Sequence, residues 1–551
     1  MKLVRQSPHP STTDFPTLSV VEPATVRAPI TNDSATLPSE ALEALRTRIE
    51  TGDLDAATTV LRDHWFPLVN SHEEDITRLL DTVPCDDLHG HPLLSMALGI
   101  RLYRVPYRRT RAFLLLICAI RSARRHHAIG LDPLAHALIR AAEGTAFRLL
   151  GRAQLGVRPS LDALRILDRL ESARTDGDPT VIGICTQVGS TLYAAGRFAQ
   201  AIDVFTRGAH LSLSSSTQGF GCWAMLAGIH ASRGDLARAA EAIGRARGSQ
   251  PSVPRGSGAS QMFLHLAEAL LALERLDPET AITVLRNADH DPAAVDHWRE
   301  LASVQAYAEL VSGRPGEALA ALNAFVAARG EEGDARTSRM ELASVRSLLE
   351  LGLGSPGSAR AILQQSRNDE ARQWVQSARV ELFSDDVSAV LQILAEAPPR
   401  GCSPRVQAEH YAVEAAALLR HDRSLRAIGV VRRLGALSRR SGLRTPLLLV
   451  PSADLRRLSD ALTTEGYDDV VRDLPSSSIL ADYASPALTP REMSVLFQLA
   501  MKPSTKQIAA ALYVSPNTVK SQLRTLYRKL GASTREEALA AARSRDILPQ
   551  R

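Results

Sequence analysis

The sequence predicts an all-α protein in which loosely repeated helix pairs are followed by a small four-helix domain at the C-terminus. Strong helix formers, above all alanine, leucine and arginine, dominate the 551 residues. The apolar-polar alternation that marks β-strands is scarce. Hydrophobic residues at 45% and charged residues at 23% are ordinary for a soluble globular protein, so most of the chain should bury a core.

The first third of the chain is expected to contain a tail and a helical region. Residues 1–36 are rich in proline, serine and threonine and have no stretch suited to a signal peptide, so we expect a disordered tail. Residues 37–180 should form an N-terminal helical repeat region. The longest apolar run, Phe113 to Ile120, is far shorter than the roughly 20 residues that span a bilayer. We interpret it as a core helix segment and expect a cytoplasmic protein with no membrane contact.

Residues 181–450 repeat a pattern of small residues. Gly189, Gly196, Ala201 and Phe205 fall at the offsets of a tetratricopeptide-type helix pair, in which small residues allow two helices to cross. The next unit and several weaker echoes follow the same pattern: Trp223, Ala227, Gly234, Ala239, Ile243, Ala246 and Pro251; Ala281, Leu285 and Ala288; Gly313, Ala318 and Leu322; Ala359 and Leu363; and, earlier, Gly52, Ala57 and Leu61. The spacing of roughly 40 residues predicts degenerate repeats in an α-solenoid.

A solenoid presents a concave surface, which here should receive a protein, peptide or small-molecule effector. The alternative is a purely structural arm. Residues 451–484 are expected to be a connecting helix and a linker, because Ser476-Ser477-Ser478 follows Pro475 and precedes Pro486.

Residues 485–551 contain the starts of four short helices. Thr489-Pro490-Arg491-Glu492 and Ser504-Thr505-Lys506-Gln507 are capping boxes, in which the first side chain accepts from an amide three residues on. Tyr513-Val514 is expected to form the turn after the second helix. A third helix should start at Ser515-Pro516 and end at Gly531, and a fourth at Ser533 or Thr534.

The helix faces in this domain are predicted from apolar spacing. Met493, Leu496, Phe497 and Ala500 should face inward on the first helix. On the third helix the inward residues are expected to be Val519, Leu523, Leu526 and Leu530. The fourth helix has small residues, Ala538, Leu539 and Ala542, that we interpret as a dimer face.

Positive charge is concentrated in the same domain. Residues 485–551 carry a net charge of +7, whereas the other 484 residues sum to −2. On the third helix, Lys520, Arg524 and Arg528 share one face, and Asn517, Thr518 and Ser521 lie near its start. A capped helix with one buried face and one cationic face fits the major groove of DNA. The alternative is a helical bundle with a solvated basic face.

These residues carry a family resemblance. The segments Leu488-Thr489-Pro490-Arg491-Glu492, Val514-Ser515-Pro516-Asn517-Thr518-Val519-Lys520 and Lys529-Leu530-Gly531 resemble the helix-turn-helix of LuxR/FixJ/NarL-type regulators. The resemblance covers about 60 residues. Gln507, Lys502 and Gln522 depart from the family pattern, which usually has Glu, Gly and His there.

The resemblance implies roles for individual side chains. Lys520, Ser521 and Arg524 would reach base edges, whereas Lys506, Thr518 and Lys529 would lie near phosphates. The DNA-binding residues predicted in all are Lys506, Ser515, Asn517, Thr518, Lys520, Ser521, Arg524, Arg528 and Lys529. Double-stranded DNA is therefore the expected partner, bound by a homodimer.

Enzymatic activity is not expected. The helical arm resembles that of MalT-like large LuxR regulators, which normally carry an ATPase domain, but here no glycine is followed by lysine and the phosphate loop is missing. The five cysteines lie far apart, and neither Asp86-Asp87-Leu88-His89-Gly90-His91 nor Arg124-Arg125-His126-His127 has a further ligand at metal spacing. We therefore predict no cofactor, no metal and no catalytic residue.

The sequence thus predicts a sequence-specific transcriptional regulator. The alternative is a repeat scaffold or anti-regulator that mainly binds proteins and uses its DNA-binding domain weakly.

Overall fold

A computed structural model describes residues 33–480 and 490–548 of the chain. Short gaps in that description fall at 66–67, 70–72, 104, 126–131, 171–177, 212–218, 250–258, 289–291, 293–294, 367–370, 397–401, 422–423, 503, 531, 533 and 545–547. Every regular element in the described part of the chain is a helix, which confirms the all-α prediction. Within those residues, no helix is both long and apolar enough to cross a membrane.

The helices up to the middle of the arm are short and mostly paired. They are α1 Asp33–Glu50, α2 Leu54–Asp63, α3 Glu73–Asp81, α4 Cys85–Leu88, α5 Pro92–Tyr103, α6 Arg109–Arg125, α7 Pro133–Leu149, α8 Ala153–Leu167, α9 Pro179–Ala194, α10 Phe198–Leu211, α11 Phe220–Arg233, α12 Leu236–Gly248, α13 Ala259–Glu274 and α14 Pro278–Asn287. The predicted tail at 1–36 lies outside the described residues except for its last four, where α1 begins.

The remaining helices complete the arm and form the C-terminal domain. They are α15 Trp298–Val311, α16 Pro315–Ala328, α17 Glu331–Asp334, α18 Arg336–Gly352, α19 Pro356–Gln365, α20 Ala371–Phe383, α21 Val387–Ala395, α22 Pro404–His421, α23 Leu425–Ser441, α24 Ser452–Thr464, α25 Asp468–Val471, α26 Pro490–Met501, α27 Thr505–Ala511, α28 Pro516–Leu530 and α29 Arg535–Ser544. Two 3₁₀ segments are also present: Pro106–Arg108 lies between α5 and α6, and Thr445–Leu449 lies between α23 and α24.

One turn geometry recurs between the two helices of a pair. A residue with positive φ ends the first helix, and the next amide donates to the carbonyl oxygen five positions earlier at 2.8–3.0 Å, which is a Schellman motif. The positive-φ residues of these turns are Gly52, Gly151, Gly196, Gly234, Leu276, Gly313, Gly354, Asp385 and Gly466. From Gly196 to Asp385, successive turns are 38, 42, 37, 41 and 31 residues apart. This recurrence is consistent with the degenerate repeats expected from the sequence.

Small residues let the paired helices touch. A Cβ on Gly189 of α9 would lie 2.7 Å from the ring of Phe205 on α10, which is closer than real Cβ atoms approach. Ala201 is fully buried at the same crossing. The alanines predicted for the other units are also buried, at Ala239, Ala318 and Ala359, whereas Trp223 and Ile243 are only partly buried. Pro251 lies outside the described residues. Packing at close range therefore explains the small-residue pattern.

The apolar run from Phe113 to Ile120 is only half in the core, which corrects the expectation of a core segment. Leu116 and Ala119 are fully buried, whereas 60% of Leu114 and 37% of Phe113 are exposed. The run lies on α6, and successive residues of a helix point in different directions. One face packs on α5, and the other is exposed.

Contacts between distant segments close the arm on itself. Glu274, at the end of α13, is buried, and its carboxylate accepts four hydrogen bonds. The donors are the guanidinium of Arg405 at 2.6 Å, the hydroxyl of Thr445 at 2.7 Å, and the backbone amides of Arg444 at 2.7 Å and Thr445 at 2.9 Å. Arg405 also donates to the carbonyl oxygen of Ala231 at 3.3 Å. The last helices of the arm are thereby fixed to its middle.

A second contact joins the N-terminal helices to the middle of the arm. Arg148 on α7 pairs with Asp296, and the same guanidinium donates to Gln187 at 3.1 Å. Near it, Glu332 accepts from the indole of Trp298 at 3.0 Å and from Arg329 at 2.9 Å. Burial raises the pKa of the Asp296 carboxyl, but the charges of Arg148 and His297 and the hydrogen bonds from these two residues together hold that pKa below its usual range.

Residues 451–484, predicted as a connecting helix and a linker, contain helix α24 and an anchored loop. Within 451–484, α24 packs on α22 and contributes Leu455 and Leu458 to a buried apolar cluster. Ser478 donates from its amide to Ser452 at 2.9 Å and from its hydroxyl to the carbonyl oxygen of Leu448 at 2.8 Å. The serines suggested a linker because they favour loops, but a side chain that bonds to backbone anchors a loop as well.

We expect Glu274→Ala to lower the free energy of unfolding of the arm by about 3–5 kcal/mol, because it leaves a buried guanidinium without its partner. The midpoint of urea unfolding, followed by circular dichroism, measures this. The matched control is Glu279→Ala, because Glu279 forms an exposed pair with Arg314 and such pairs contribute at most about 1 kcal/mol. Equal stability of the two variants would contradict the role given to Glu274.

Candidate nucleic-acid interface

The C-terminal domain has a hydrophobic core of its own. Val495, Leu496 and Leu499 of α26 pack with residues of the next three helices. The other buried members of this cluster are Ile508, Ala509, Val519, Leu526, Leu530, Ala538, Ala542 and Leu548. Because none of them belongs to the clusters of the arm, the packing of this domain is self-contained.

The predicted inward faces are mostly confirmed. Val519, Leu526 and Leu530 are buried on α28, and Leu523 is partly buried. On α26, Leu496 is buried, but Phe497 is 46% exposed, so its inward placement is wrong. Val495 and Leu499 take the core positions because they continue the buried face of α26 at helical spacing.

Side-chain caps start the helices where the sequence predicts them. Ser504 accepts from the amide of Gln507 at 3.4 Å, and Ser515 accepts from the amide of Thr518 at 3.1 Å. At the fourth helix, Thr534 and Glu537 bond each other's backbone amides, at 3.1 and 3.2 Å. The proposed cap Thr489 and the helix end at Gly531 lie outside the described residues.

The turn between α27 and α28 sets the direction of the third helix. Tyr513 has a φ of 54°, and the next amide, that of Val514, donates to Ala509 at 3.1 Å. This is the turn predicted for Tyr513-Val514. The Tyr513 side chain is 96% exposed, so it adds nothing to the core of the domain. Its contribution to the turn is the backbone conformation.

Most of the predicted DNA-binding residues lie on the surface. The exposed ones are Lys506, Ser515, Asn517, Thr518, Lys520, Ser521 and Arg524. Six of these seven belong to α28 or its cap, on the side opposite the buried stripe. The Arg528 side chain lies outside the described residues. The arrangement presents two cations and several short polar side chains from one helix face.

Lys529, predicted to lie near phosphate, does not share this arrangement and forms an ion pair inside the domain. Its ammonium lies 2.6 Å from the Glu492 carboxylate, and the lysine side chain is 19% exposed. Glu492 is on α26, which packs against α28, so the pair joins two helices inside the domain. Sequence spacing places Lys529 on α28 but gives no information about which α26 residue faces it.

The predicted dimer face is also corrected. Ala538 and Ala542 are fully buried in the core of the domain, where they pack with Leu530 and Leu548. Small residues on α29 therefore allow it to approach the other three helices of the same domain. They are not available to a second copy of the chain.

Arg535 is a structural residue that sequence reasoning missed. Its guanidinium donates to the carbonyl oxygens of Leu499 and Lys502, which end α26. A cation at a helix C-terminus satisfies carbonyls that have no partner in the helix and interacts favourably with the helix dipole. The signal was the absence of a glycine cap after Met501, which leaves these carbonyls in need of another donor.

The histidine motifs do not assemble a metal site within the described residues, where no group of three potential ligands is found. His91 bonds the Thr58 hydroxyl at 3.1 Å and lies 3.7 Å from Asp55. Asp86 and Asp87 of the first motif lie on the short helix Cys85–Leu88. His126 and His127 lie outside the described residues.

Four short helices around one core, with a cationic third helix, define a helix-turn-helix DNA-binding domain. Comparison with known families supports the same class. Residues 486–542 match the bacterial regulatory proteins of the luxR family (GerE). The C-terminal part of the chain is therefore a LuxR-family helix-turn-helix domain, as the sequence resemblance implied.

Similar curated proteins are transcriptional regulators. The probable transcriptional regulatory protein NarL of Mycobacterium tuberculosis is 45% identical over 64 residues, which cover 12% of this chain and 30% of that protein. The nitrate/nitrite response regulator protein homolog of Haemophilus influenzae is 43% identical over 70 residues, 13% of this chain and 34% of its own.

A third relative matches over a longer segment. The HTH-type transcriptional activator RamA of Corynebacterium glutamicum is 36% identical over 102 residues, 17% of this chain and 34% of its own length. The similarity thus spans about a third of each of these three relatives. Each match covers at most 17% of this chain, so most of the arm is unmatched in these relatives.

We expect Lys529→Ala to loosen the domain, since it leaves the buried Glu492 carboxylate without its cation. A loss of about 1–3 kcal/mol would speed hydrogen exchange of protected α26 and α28 amides roughly 5- to 150-fold in the full chain. Lys506→Ala, which removes an exposed lysine, should leave exchange unchanged. Unchanged exchange in Lys529→Ala, together with weaker DNA binding, would restore the phosphate role.

Proposed function

We propose that this chain is a sequence-specific transcriptional regulator that binds double-stranded DNA with α28 in the major groove. The observation that carries the proposal is the exposure of Lys520, Ser521 and Arg524 on a helix whose opposite face is buried. Helix-turn-helix domains use such a face to contact base edges. The regulatory function of the relatives, as their names give it, supports the same proposal.

The side chains of this surface divide into two groups. Lys520, Ser521 and Arg524 contact base edges, where their donors distinguish one base pair from another. Lys506 and Thr518 contact phosphates, with Ser515 and Asn517 at the start of the same helix and Arg528 further along it. Phosphate contacts fix the position of a protein on DNA without reading its sequence. The protein binds as a homodimer, through a surface other than the buried alanines of α29.

The arm supplies regulation and not catalysis. Its inner surface receives a partner or effector, and the paired helices with recurring turns support the solenoid that this requires. No ATP-driven step is part of the proposal, because the sequence has no phosphate loop. The domain division proposed is an arm through residue 484 and a DNA-binding domain at 485–551, which has its own core.

Substitutions on α28 should separate specificity from affinity. In Lys520→Ala and Arg524→Ala, loss of a base contact costs about 1–3 kcal/mol and reduces the ratio of specific to non-specific affinity. In Lys506→Ala, loss of a phosphate contact weakens all sequences alike and reduces the slope of log affinity against log salt by about one. Fluorescence anisotropy with a selected site and a scrambled site, at several salt concentrations, measures both quantities.

The same measurement on a fragment of residues 485–551 tests the domain division. The fragment should bind DNA at low salt because it contains its own caps, core and positive charge.

One result with the α28 variants would contradict the placement of this helix. If discrimination between the selected and the scrambled site survived in Lys520→Ala and Arg524→Ala but disappeared in Lys506→Ala, the placement of α28 would be wrong.

A further inference from the structure

Two arginines from distant helices of the arm, Arg233 and Arg372, lie side by side. Arg233 ends α11, and Arg372 lies near the start of α20, 139 residues later in the sequence. The Arg372 guanidinium donates to the carbonyl oxygen of Ser232 at 3.2 Å, which brings it beside the neighbouring Arg233. Among the described residues, neither arginine forms an ion pair. The two other contacts described above between distant segments, Arg405 with Glu274 and Arg148 with Asp296, each pair an arginine with an acid.

The surroundings of Arg233 disfavour the charged form of its side chain. The side chain is half-buried, and its guanidinium lies over the ring of Phe198 at 5.2 Å. Burial lowers the pKa of Arg233, and the positive charge of Arg372 lowers it further. The groups that act in the opposite direction are Tyr193 and Cys402, neither of which is a carboxylate. A half-buried cation beside a second cation gains most from an anion.

The surroundings offer an apolar wall and neutral polar groups. Phe198 is 38% exposed, and the ring of Tyr193 packs against it at 5.5 Å and against Phe263 at 5.2 Å. The Tyr193 hydroxyl lies near the Glu300 carboxyl. Burial, aided by the nearby Glu341, raises the pKa of Glu300 to about 7, so this carboxyl is partly uncharged at neutral pH. It therefore repels an anion less than an ordinary glutamate.

We propose that Arg233 and Arg372 bind the oxyanion of a small effector, a carboxylate or a phosphate, whose apolar body lies against the exposed part of Phe198. The guanidinium of arginine has a planar set of N–H donors that matches both oxyanions in bidentate geometry. One face of the Arg233 guanidinium stacks on the ring of Phe198. The N–H groups at the edge of the guanidinium donate to the ligand. The site deepens the proposed function, on which it rests, by giving the class of signal that the arm receives.

Closure of the arm is what forms this site. Tyr193, Phe198 and Arg233 come from successive helix pairs, whereas Arg372 comes from a much later one. Binding of an anion between Arg233 and Arg372 would therefore tie these distant segments together. A ligand that favours one arrangement of such segments shifts its population, which is the basis of effector control.

Isothermal titration calorimetry on the full chain, at constant ionic strength and pH 7, tests the site with sodium benzoate and with inorganic phosphate. We expect saturable binding of at least one probe with a Kd below about 10 mM. Binding of benzoate alone identifies an aromatic carboxylate, and binding of phosphate alone identifies a phosphate ester. Absence of saturable binding for both probes would overturn the proposal.

Matched variants locate the binding. Arg233→Gln and Arg372→Gln should each lower the affinity for the probe at least about tenfold, because each removes charge-assisted hydrogen bonds. Arg245→Gln is the control, since Arg245 is an exposed arginine that lies over Trp223 at 5.8 Å, outside the site. Equal affinity in all three variants, or an equal loss in the control, would overturn the assignment.

Melting temperature without a probe separates a binding role from a structural one. Neutralising Arg233 relieves repulsion, so Arg233→Gln should melt at the same temperature as the unaltered chain or above it. A fall of several degrees would mean that the arginines hold the arm together, which would overturn the proposal. Substitutions at Lys520 and Arg524 test DNA binding separately, so failure of the effector site and failure of the proposed function are distinguishable.

Discussion

The buried carboxylate of Glu274 is the interaction on which the shape of the arm depends. A charged group removed from water is tolerated only when every one of its hydrogen bonds is satisfied. Glu274 meets this condition with donors from Arg405, Arg444 and Thr445, all more than 130 residues away. The interaction therefore exists only when the arm curves back on itself.

Several features of the molecule follow from that curvature. The 3₁₀ segment Thr445–Leu449 and helix α24 are held against the arm, and Ser478 bonds to the same region. The chain that leads to the DNA-binding domain therefore starts from a fixed point. The same closure brings Arg372 beside Arg233, and neither cation pairs with an acid in the part of the chain that the structure describes. Regulation by an anion and the geometry of the arm would thus have one structural cause.

The local parts of this structure could be predicted from the sequence because their causes are local. Helix caps such as Ser515, and turns such as that at Gly196, depend on residues within a few positions. The repeat is less visible in the sequence where Leu276 and Asp385 take the positive-φ position that glycine takes in the other turns. The contacts of Glu274 with Arg405 and of Arg148 with Asp296 could not be predicted, because they depend on the curvature accumulated over several helix pairs.

The same distinction applies within the DNA-binding domain. The exposed face of α28 follows from the spacing of Val519, Leu526 and Leu530, so Lys520 and Arg524 could be placed from sequence. The pairing of Lys529 with Glu492, and the burial of Ala538, depend on how two other helices pack against α28. A cation on a helix is equally suited to phosphate and to a neighbouring carboxylate, and only the packing decides between them.

Selection of bound sequences from a random DNA library by the full chain tests the central claim most directly. If α28 contacts base edges, successive rounds of selection should enrich a recurring motif, and the double variant Lys520→Ala/Arg524→Ala should fail to enrich it. Enrichment of no motif by the unaltered chain, with binding that depends only on salt concentration, would contradict sequence-specific regulation.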